Sequence, residues 1–84
     1  MKYYLSPNAV KDLRRFEIAD RRRIIEKLGF YTAAKDPLAF AKRLSDPKFG
    51  EYRFRIGEYR AIFDVRSEVG IVILAIGKRG DIYR

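Results

Sequence analysis

The sequence predicts one domain of the α+β class, with helices packed on one face of an antiparallel sheet. Apolar residues recur at helical spacing before residue 35 and at strand alternation after residue 51. A two-residue turn signal, Gly57-Glu58, separates two alternating segments. Eighty-four residues, 48% of them hydrophobic, suffice for one compact core and leave too little for a second. Helices followed by a run of strands indicate α+β architecture.

The first third of the chain predicts a short strand and a helical hairpin. Residues 2–5 form the strand. Ser6 is the expected N-cap, with a proline at the next position, of a helix over about residues 7–17. Asp20 is the expected N-cap of a second helix that ends near residue 34. The apolar residues at helical spacing are Ala9, Val10, Leu13, Phe16, Ile24, Ile25, Leu28 and Tyr31.

A connector and three strands complete the predicted fold. Residues 36–50 hold two Asp-Pro pairs and a glycine, which favour a loop with one helical turn around residues 38–44. The strands form an antiparallel meander over residues 52–56, 59–66 and 71–76. The last of them is apolar throughout, which is typical of a central strand covered on both faces.

The two-residue turn fixes the register of the hairpin, so Arg55 faces Arg60 across the strands. Alternation places Arg53 on the same face as that pair. Like charges directly opposite one another destabilise a sheet, which favours an anion site, because guanidinium groups bind phosphate through paired donors. The alternative is that Glu51, Glu58 or Asp64 neutralises the cluster, with Asp64 the best candidate because it shares the face of Arg60. The opposite, buried face holds Tyr52, Phe54, Ile56, Tyr59, Ala61 and Phe63.

Composition restricts the chemistry. The net charge of +8 points to a polyanionic partner, with nucleic acid the first candidate, ahead of an anionic membrane surface or an acidic protein. The sequence has no histidine and no cysteine, which excludes disulfides, thiolate or histidine metal sites and a histidine general base. Proton transfer would therefore need Tyr, Lys, Asp, Glu or the RNA itself. No apolar stretch could span a membrane or serve as a signal peptide, so we expect a cytoplasmic protein.

Basic residues also occur on the helices and at the C-terminus. Arg14, Arg15 and Arg22 belong to a basic helical run, which is a solvated surface or a contact to RNA backbone. Tyr83 follows Lys78 and Arg79. Cationic neighbours favour a phenolate, which would make this tyrosine a proton acceptor, whereas the simpler interpretation is a packing residue.

These residues resemble a known family. The run YRFRIGEYRAIF at residues 52–63 is similar to the YR-x-R-x-G-[DE]-YR-x-x-[YF] core of RelE/ParE toxins, and residues 76–83 resemble the closing GHR-x-x-x-Y of that family. The resemblance covers essentially the whole chain, and the sequence is more similar to RelE toxins than to ParE toxins. It implies a toxin of a type II toxin-antitoxin pair, bound to its antitoxin in a hetero-oligomer. It further implies a metal-independent endoribonuclease, without a cofactor, that enters the ribosome and cleaves the A-site codon of mRNA.

In this family the ribose 2′-OH attacks the adjacent phosphate, held by basic residues. By position, the resemblance assigns catalytic roles to Arg53, Arg55, Arg60, Arg79 and Tyr83, and RNA binding to Lys78, Arg14, Arg15 and Arg22. Lys78 stands where many members have histidine, and the two arginines of the first hairpin strand stand where some have lysine. Because arginine does not lose its proton, the general base would be Tyr83 or water. The alternatives are a ParE-like inhibitor of DNA gyrase without nuclease activity and a non-catalytic binding module.

Overall fold

A computed structural model describes residues 1–82 and confirms the α+β class. The elements, in chain order, are β1 (Tyr3–Leu5), α1 (Pro7–Arg14), α2 (Ile18–Ala33), a 3₁₀ turn (Pro37–Phe40), β2 (Ala41–Arg43), β3 (Tyr52–Ile56), β4 (Tyr59–Arg66) and β5 (Gly70–Lys78). The strands form one five-stranded sheet in the order β1-β5-β4-β3-β2. Among the strands of the described residues, β1 and β5 pair parallel and the other neighbours pair antiparallel. Within residues 1–82 no helix is long and apolar enough to cross a membrane.

The helical hairpin is confirmed, with one wrong cap. Ser6 caps α1 as predicted, because its Oγ accepts a hydrogen bond from the backbone N–H of Ala9 at 3.1 Å. The helix ends at Arg14, three residues earlier than expected. Asp20 is not the N-cap of α2. Glu17 holds that position, and Asp20 lies in the first turn, where its carboxylate accepts hydrogen bonds from two other side chains.

The strand β2 was not predicted. It follows the 3₁₀ turn at Pro37–Phe40, which lies within the stretch expected to hold one helical turn. Its three residues pair antiparallel with β3, so that Ala41 lies opposite Phe54 and Lys42 opposite Arg53. Three residues are too few to show an alternating pattern, and the strand is defined by its neighbour rather than by its own sequence.

The hairpin register is confirmed. Arg55 pairs with Arg60, and Phe54 pairs with Ala61. Gly57, the first residue of the two-residue turn, has a φ of +60°, as a type II′ turn requires. No non-glycine residue in the described part of the chain has a positive φ. The pairing of β4 with β5 shifts between Ile62 and Phe63, so the two strands contain a bulge.

The two faces of the sheet are covered differently, and this positions the site. The helices pack on one face, over a core that includes Leu13, Ile24, Leu28, Phe54, Ile56, Phe63, Ile71, Ile73 and Ile76. On the other face the loop after β2 covers Ile62, because a Cβ atom placed on Gly50 would lie 2.6 Å from Ile62 Cγ2. The end of this face near the β3–β4 turn lies outside that loop.

Gly70 provides a test of the fold. Its φ is +106°, and an added Cβ would lie 2.5 Å from the carbonyl oxygen of Lys2, which accepts the backbone N–H of Ile71. We expect Gly70→Ala to lower the free energy of unfolding by about 1–3 kcal/mol, because it strains the backbone and separates β1 from β5. The matched control is Gly29→Ala, where the space is open and alanine favours the helix. Urea denaturation followed by circular dichroism compares the variants, and equal midpoints would contradict the prediction.

Candidate anion-binding site

The β3–β4 turn and the end of β5 enclose a cleft of about 350 Å³, named here the arginine cleft. The backbone N–H of Arg79 donates to the carbonyl oxygen of Glu58 at 3.2 Å, which fixes the end of β5 to the turn. The residues that line the cleft are Arg55, Gly57, Glu58, Arg60, Lys78 and Arg79. Three of the predicted catalytic residues and one predicted RNA-binding residue therefore meet in one place.

The arginines differ in depth. Arg60 is only 5% exposed, and its Nη1 donates to the carbonyl oxygen of Tyr59 at 3.2 Å. Arg55 and Arg79 are exposed, and neither forms an ion pair within residues 1–82. One guanidinium thus lies at the bottom of the cleft and two lie at its rim. Paired donors without a carboxylate partner can bind a phosphate oxygen at the rim.

The alternative counter-ion, Asp64, is engaged elsewhere. Its Oδ1 accepts the backbone N–H of Glu51 at 3.0 Å, and its Oδ2 lies 3.7 Å from Arg66 Nη2. Both contacts lie towards the end of β4 that is remote from the turn. The Asp64 carboxylate therefore binds the connector before β3 and the exposed end of β4.

Arg53 lies outside the arginine cleft. It lines a second cleft of about 340 Å³, named here the edge cleft, beside β2. The sequence grouped Arg53 with Arg55 and Arg60 because all three share one face, and the structure separates it along that face. The lining residues of the edge cleft are Lys42, Arg43, Leu44, Ser45, Asp46, Phe49 and Arg53. Lys42 and Arg43 were missed because their strand was not predicted.

Lys78 lies at the boundary between the two sides of the sheet. It pairs with Tyr59 across β4 and β5, and its Nζ lies 6.0 Å from the centre of the Tyr59 ring. It also lines a larger cleft of about 720 Å³ at the ends of the helices, together with Arg15. The ammonium group can therefore reach an anion from the rim of the arginine cleft.

The chain after β5 turns back over the open face. A Cβ atom placed on Gly77 would lie 3.3 Å from the Cβ of Ile82, so glycine permits this close approach. Gly77 is the cross-strand partner of Arg60. The tail therefore covers the pair that includes Arg60 and contributes to its burial. Tyr83, the predicted proton acceptor, lies outside the described residues.

The predicted RNA-binding residues of the helices lie in the helical layer, on the side of the sheet away from the arginine cleft. Arg14 and Arg22 are exposed, and Arg15 pairs with Asp12 at 2.8 Å while its side chain stays 72% exposed. Arg22 lines an apolar patch on the outer surface of α2. The structure does not bring Arg14 or Arg22 into the arginine cleft.

The hydroxyl of Tyr59 forms a polar contact that the sequence did not predict, because side-chain alternation assigned this residue only to the core. Its hydroxyl donates to Asp20 Oδ2 at 3.0 Å, and its ring lies 4.7 Å from that of Phe16. Burial raises the pKa of the Tyr59 hydroxyl above its usual range, and the hydrogen bond to Asp20 raises it further. Tyr59 is therefore a poor proton acceptor, and its hydroxyl joins the start of α2 to the start of β4.

The raised pKa predicts alkaline sensitivity. A group that must stay protonated in the fold stabilises it below its unfolded pKa of about 10, and this contribution is lost as the pH rises through the folded pKa. We expect the wild-type protein to lose stability above about pH 10 more steeply than Tyr59→Phe. Tyr4→Phe, at an exposed position, is the matched control and should follow the wild type. Thermal melts from pH 8 to 11 measure this, and parallel curves for wild type and Tyr59→Phe would contradict it.

Comparison with known proteins places the small basic α+β domain among the toxins of toxin-antitoxin pairs. The fold is similar to a chain of the RelBE2 toxin-antitoxin complex of Mycobacterium tuberculosis, with a TM-score of 0.75 and 24% identity, over 92% of this chain and 95% of that one. It is also similar to a chain of the RelB–RelE antitoxin-toxin complex of Methanococcus jannaschii, with a TM-score of 0.67 and 25% identity, over 94% and 93%. No curated protein matches the sequence significantly.

A family model describing the ParE toxin of the type II toxin-antitoxin system parDE matches residues 3–83. The chain belongs to this family, and the resemblance to RelE/ParE toxins is confirmed. The protein is therefore a toxin of the type II toxin-antitoxin class.

Proposed function

We propose that the toxin is a ribosome-dependent endoribonuclease that cleaves mRNA in the A site and thereby inhibits translation. The observation that carries the proposal is the arginine cleft, where two exposed guanidinium groups without ion pairs in the described chain surround a third that is buried. Arg55 lies opposite Arg60 across the hairpin, and like charges in such a cross-strand pair repel each other. A phosphate between them removes that repulsion.

The proposed reaction is an internal transfer at phosphorus. The ribose 2′-oxygen attacks the adjacent phosphorus, and the bond from phosphorus to the 5′-oxygen breaks. The products are a 2′,3′-cyclic phosphate and a new 5′-hydroxyl, and no metal ion is required. Arg55 and Arg79 bind the phosphate at the rim, and Arg60 stabilises the negative charge that develops on its oxygens.

Two protons must move in this reaction. The resemblance to RelE assigns the first to Tyr83, which would accept it from the 2′-OH. We assign Lys78, which lines the arginine cleft, to protonation of the leaving 5′-oxygen or to pairing with the phosphate. Tyr59 is unsuited to the first role because its pKa is raised.

The basic residues of the helices supply affinity for RNA that does not depend on its nucleotide sequence. Arg14, Arg15 and Arg22 are exposed on the side of the sheet away from the arginine cleft. We assign them to contacts with RNA backbone, since a protein in the A site is surrounded by ribosomal RNA as well as mRNA. The same setting makes the cytoplasm its place of action.

The second candidate function is inhibition of DNA gyrase without cleavage. It is favoured by the family match, because the matching model is that of ParE. This function needs a surface that binds a protein and makes no demand on the arginine cleft. The two candidates therefore differ in whether RNA is cut.

One parallel experiment separates them. Purified toxin, freed of antitoxin, is added to a cell-free translation reaction and to a gyrase supercoiling assay. We expect the mRNA to be cut only when ribosomes are translating it, with supercoiling unchanged. Loss of supercoiling with intact mRNA would replace the proposal by the gyrase function.

The chemistry has its own test. A single 2′-deoxynucleotide within the A-site codon removes the attacking oxygen and leaves base pairing unchanged. We expect cleavage at that position to disappear while neighbouring all-ribose codons are still cut. Undiminished cleavage after the deoxynucleotide would contradict an attack by the 2′-OH.

A further inference from the structure

The bulge in the sheet places one extra residue on β5. Ile62 of β4 pairs with Ala75, whereas the next residue, Phe63, pairs with Ile73, so Leu74 is passed over in the pairing with β4. A bulge of one residue reverses the alternation of side chains between the two faces of a sheet. Before the bulge the odd-numbered residues of β5 face the helices, and after it the even-numbered residues do.

The bulge determines the face on which Arg79 lies. After it the odd-numbered residues lie on the open face, where Gly77 is the partner of Arg60 and Arg79 lines the arginine cleft. If the pairing of the first half of β5 continued without a bulge, Ile76 would lie opposite Arg60 and Arg79 would point towards the helices. Residues 71–76 are apolar throughout, so neither register places a charge in the core, and the sequence of β5 alone does not exclude the regular one.

The backbone groups that the bulge turns outward are bound by side chains of α1 and its N-cap. β1 pairs only with the residues of β5 that precede the bulge. Beyond it, Ser6 Oγ and Asn8 Nδ2 donate to the carbonyl oxygen of Leu74 at 3.1 and 3.2 Å. Asp12 Oδ2 accepts the backbone N–H of Ile76 at 2.9 Å. Three polar side chains thus bind the edge of β5 where β1 no longer does, and they offset the cost of the irregular pairing.

Asp12 makes the contact of this group that lies closest to the arginine cleft. The residue that it binds, Ile76, immediately precedes the cross-strand partner of Arg60. The Asp12 side chain is only 13% exposed, and its Oδ1 accepts a hydrogen bond from Arg15 at 2.8 Å, which orients the carboxylate. An ionised acceptor in such a position forms a stronger hydrogen bond than a neutral one. The carboxylate therefore fixes β5 at the point where its faces have just been exchanged.

We propose that Asp12 is a positioning residue, which acts through the bulge of β5 to keep Arg79 on the same face as Arg55 and Arg60. In this assignment Asp12 does not touch the RNA. Its carboxylate stabilises the register that brings the end of β5 into the arginine cleft. The consequence for cleavage rests on the proposed function, whereas the consequence for the register concerns the toxin alone.

The register is tested by nuclear magnetic resonance of the isotopically labelled, full-length toxin without RNA. In the wild type we expect a cross-strand contact between Ile62 and Ala75 and slow hydrogen exchange of the Ile76 N–H. Asp12→Ala should make this exchange about tenfold faster, because the N–H loses its acceptor, and should add a contact between Ile62 and Leu74. Asp12→Asn keeps an acceptor oxygen at this position and should restore the wild-type signals.

The catalytic consequence is tested by single-turnover cleavage on stalled ribosomes. Asp12→Ala should cleave about tenfold more slowly, because a displaced group at the reacting centre is costly, and Asp12→Asn should recover most of the rate. In the Arg79→Ala background the same substitution should slow cleavage by no more than about twofold, because the group that it positions is gone. Asp36→Ala removes the same charge from an exposed position whose side chain forms no cap hydrogen bond, and as the matched control it should behave like the wild type in both experiments.

Two results would overturn the proposal. One is wild-type exchange of the Ile76 N–H in folded Asp12→Ala, and the other is a loss of cleavage that is equally large in the Arg79→Ala background. If Asp12→Ala does not fold, Asn8→Ala decides, since it removes one of two donors to the bulge and should speed the same exchange about threefold. Wild-type exchange in Asn8→Ala would then overturn the proposal. Failure of the proposed function is separate, because mRNA would stay intact with the wild-type toxin while the changes in register persisted.

Discussion

Replacing Arg60 by alanine is expected to reduce ribosome-dependent mRNA cleavage by about 10²–10³-fold. Arg60 is only 5% exposed, lines the arginine cleft, and is oriented by the hydrogen bond from its guanidinium to the carbonyl oxygen of Tyr59. A preorganised and partly desolvated hydrogen-bond donor stabilises developing charge far more than an exposed donor, because less water competes for the donor. Single-turnover cleavage on stalled ribosomes measures the effect.

The control for this prediction is Arg60→Lys. It keeps the positive charge and loses the planar pair of donors, so we expect it to recover only a small part of the rate. Thermal melts of both variants show whether the fold is intact. Cleavage by folded Arg60→Ala within threefold of the wild type would remove Arg60 from the reaction.

Phe54→Ala is expected to cost about 3–5 kcal/mol of folding free energy. The Phe54 side chain is fully buried, with its ring 4.3 Å from that of Phe63 and 5.0 Å from that of Tyr31. Its removal leaves a cavity where α2 packs on β3. A small domain has a total stability of about 5–15 kcal/mol, so this variant should be close to unfolding.

The matched control is Phe30→Ala, since Phe30 is 61% exposed on the outside of α2. We expect it to lose less than about 1 kcal/mol, because little apolar surface returns to water. Urea denaturation gives both values. Similar losses for Phe54→Ala and Phe30→Ala would mean that the core does not lie between the helices and β3.

The sequence predicted those elements whose signals are local. The alternation of β3 and β4, together with the turn at Gly57, determined the pairing of Arg55 with Arg60, because a two-residue turn permits one register. The N-cap at Ser6 was equally local. In each case the residues that specify the structure are adjacent in the chain.

Elements that depend on distant partners were missed or misassigned. The three-residue strand β2 exists through its pairing with β3. Asp20 was assigned as a helix cap, whereas its carboxylate accepts a hydrogen bond from Tyr59, thirty-nine residues away. A cap position and a tertiary hydrogen bond compete for the same side chain, and the sequence shows only the first.

The sequence predicted which residues share the face of the candidate site, but it did not predict the clefts on that face. Alternation placed Arg53, Arg55 and Arg60 on one face, which the register bears out. The division into two clefts depends on the loop that follows β2 and on the tail that covers Gly77. Neither has a periodic pattern in the sequence. The target of the toxin depends on surfaces of another macromolecule, which this chain does not encode.

The most direct test of the central claim is 5′-end mapping of an mRNA translated in a cell-free reaction with wild-type toxin, Arg55→Ala and Arg66→Ala. Arg66 is an exposed arginine at the far end of β4, paired with Asp64, and serves as the matched control. We predict cuts within A-site codons that Arg66→Ala retains and Arg55→Ala loses. Cuts that both variants retain, or intact mRNA with the wild-type protein, would contradict an arginine cleft that binds the scissile phosphate.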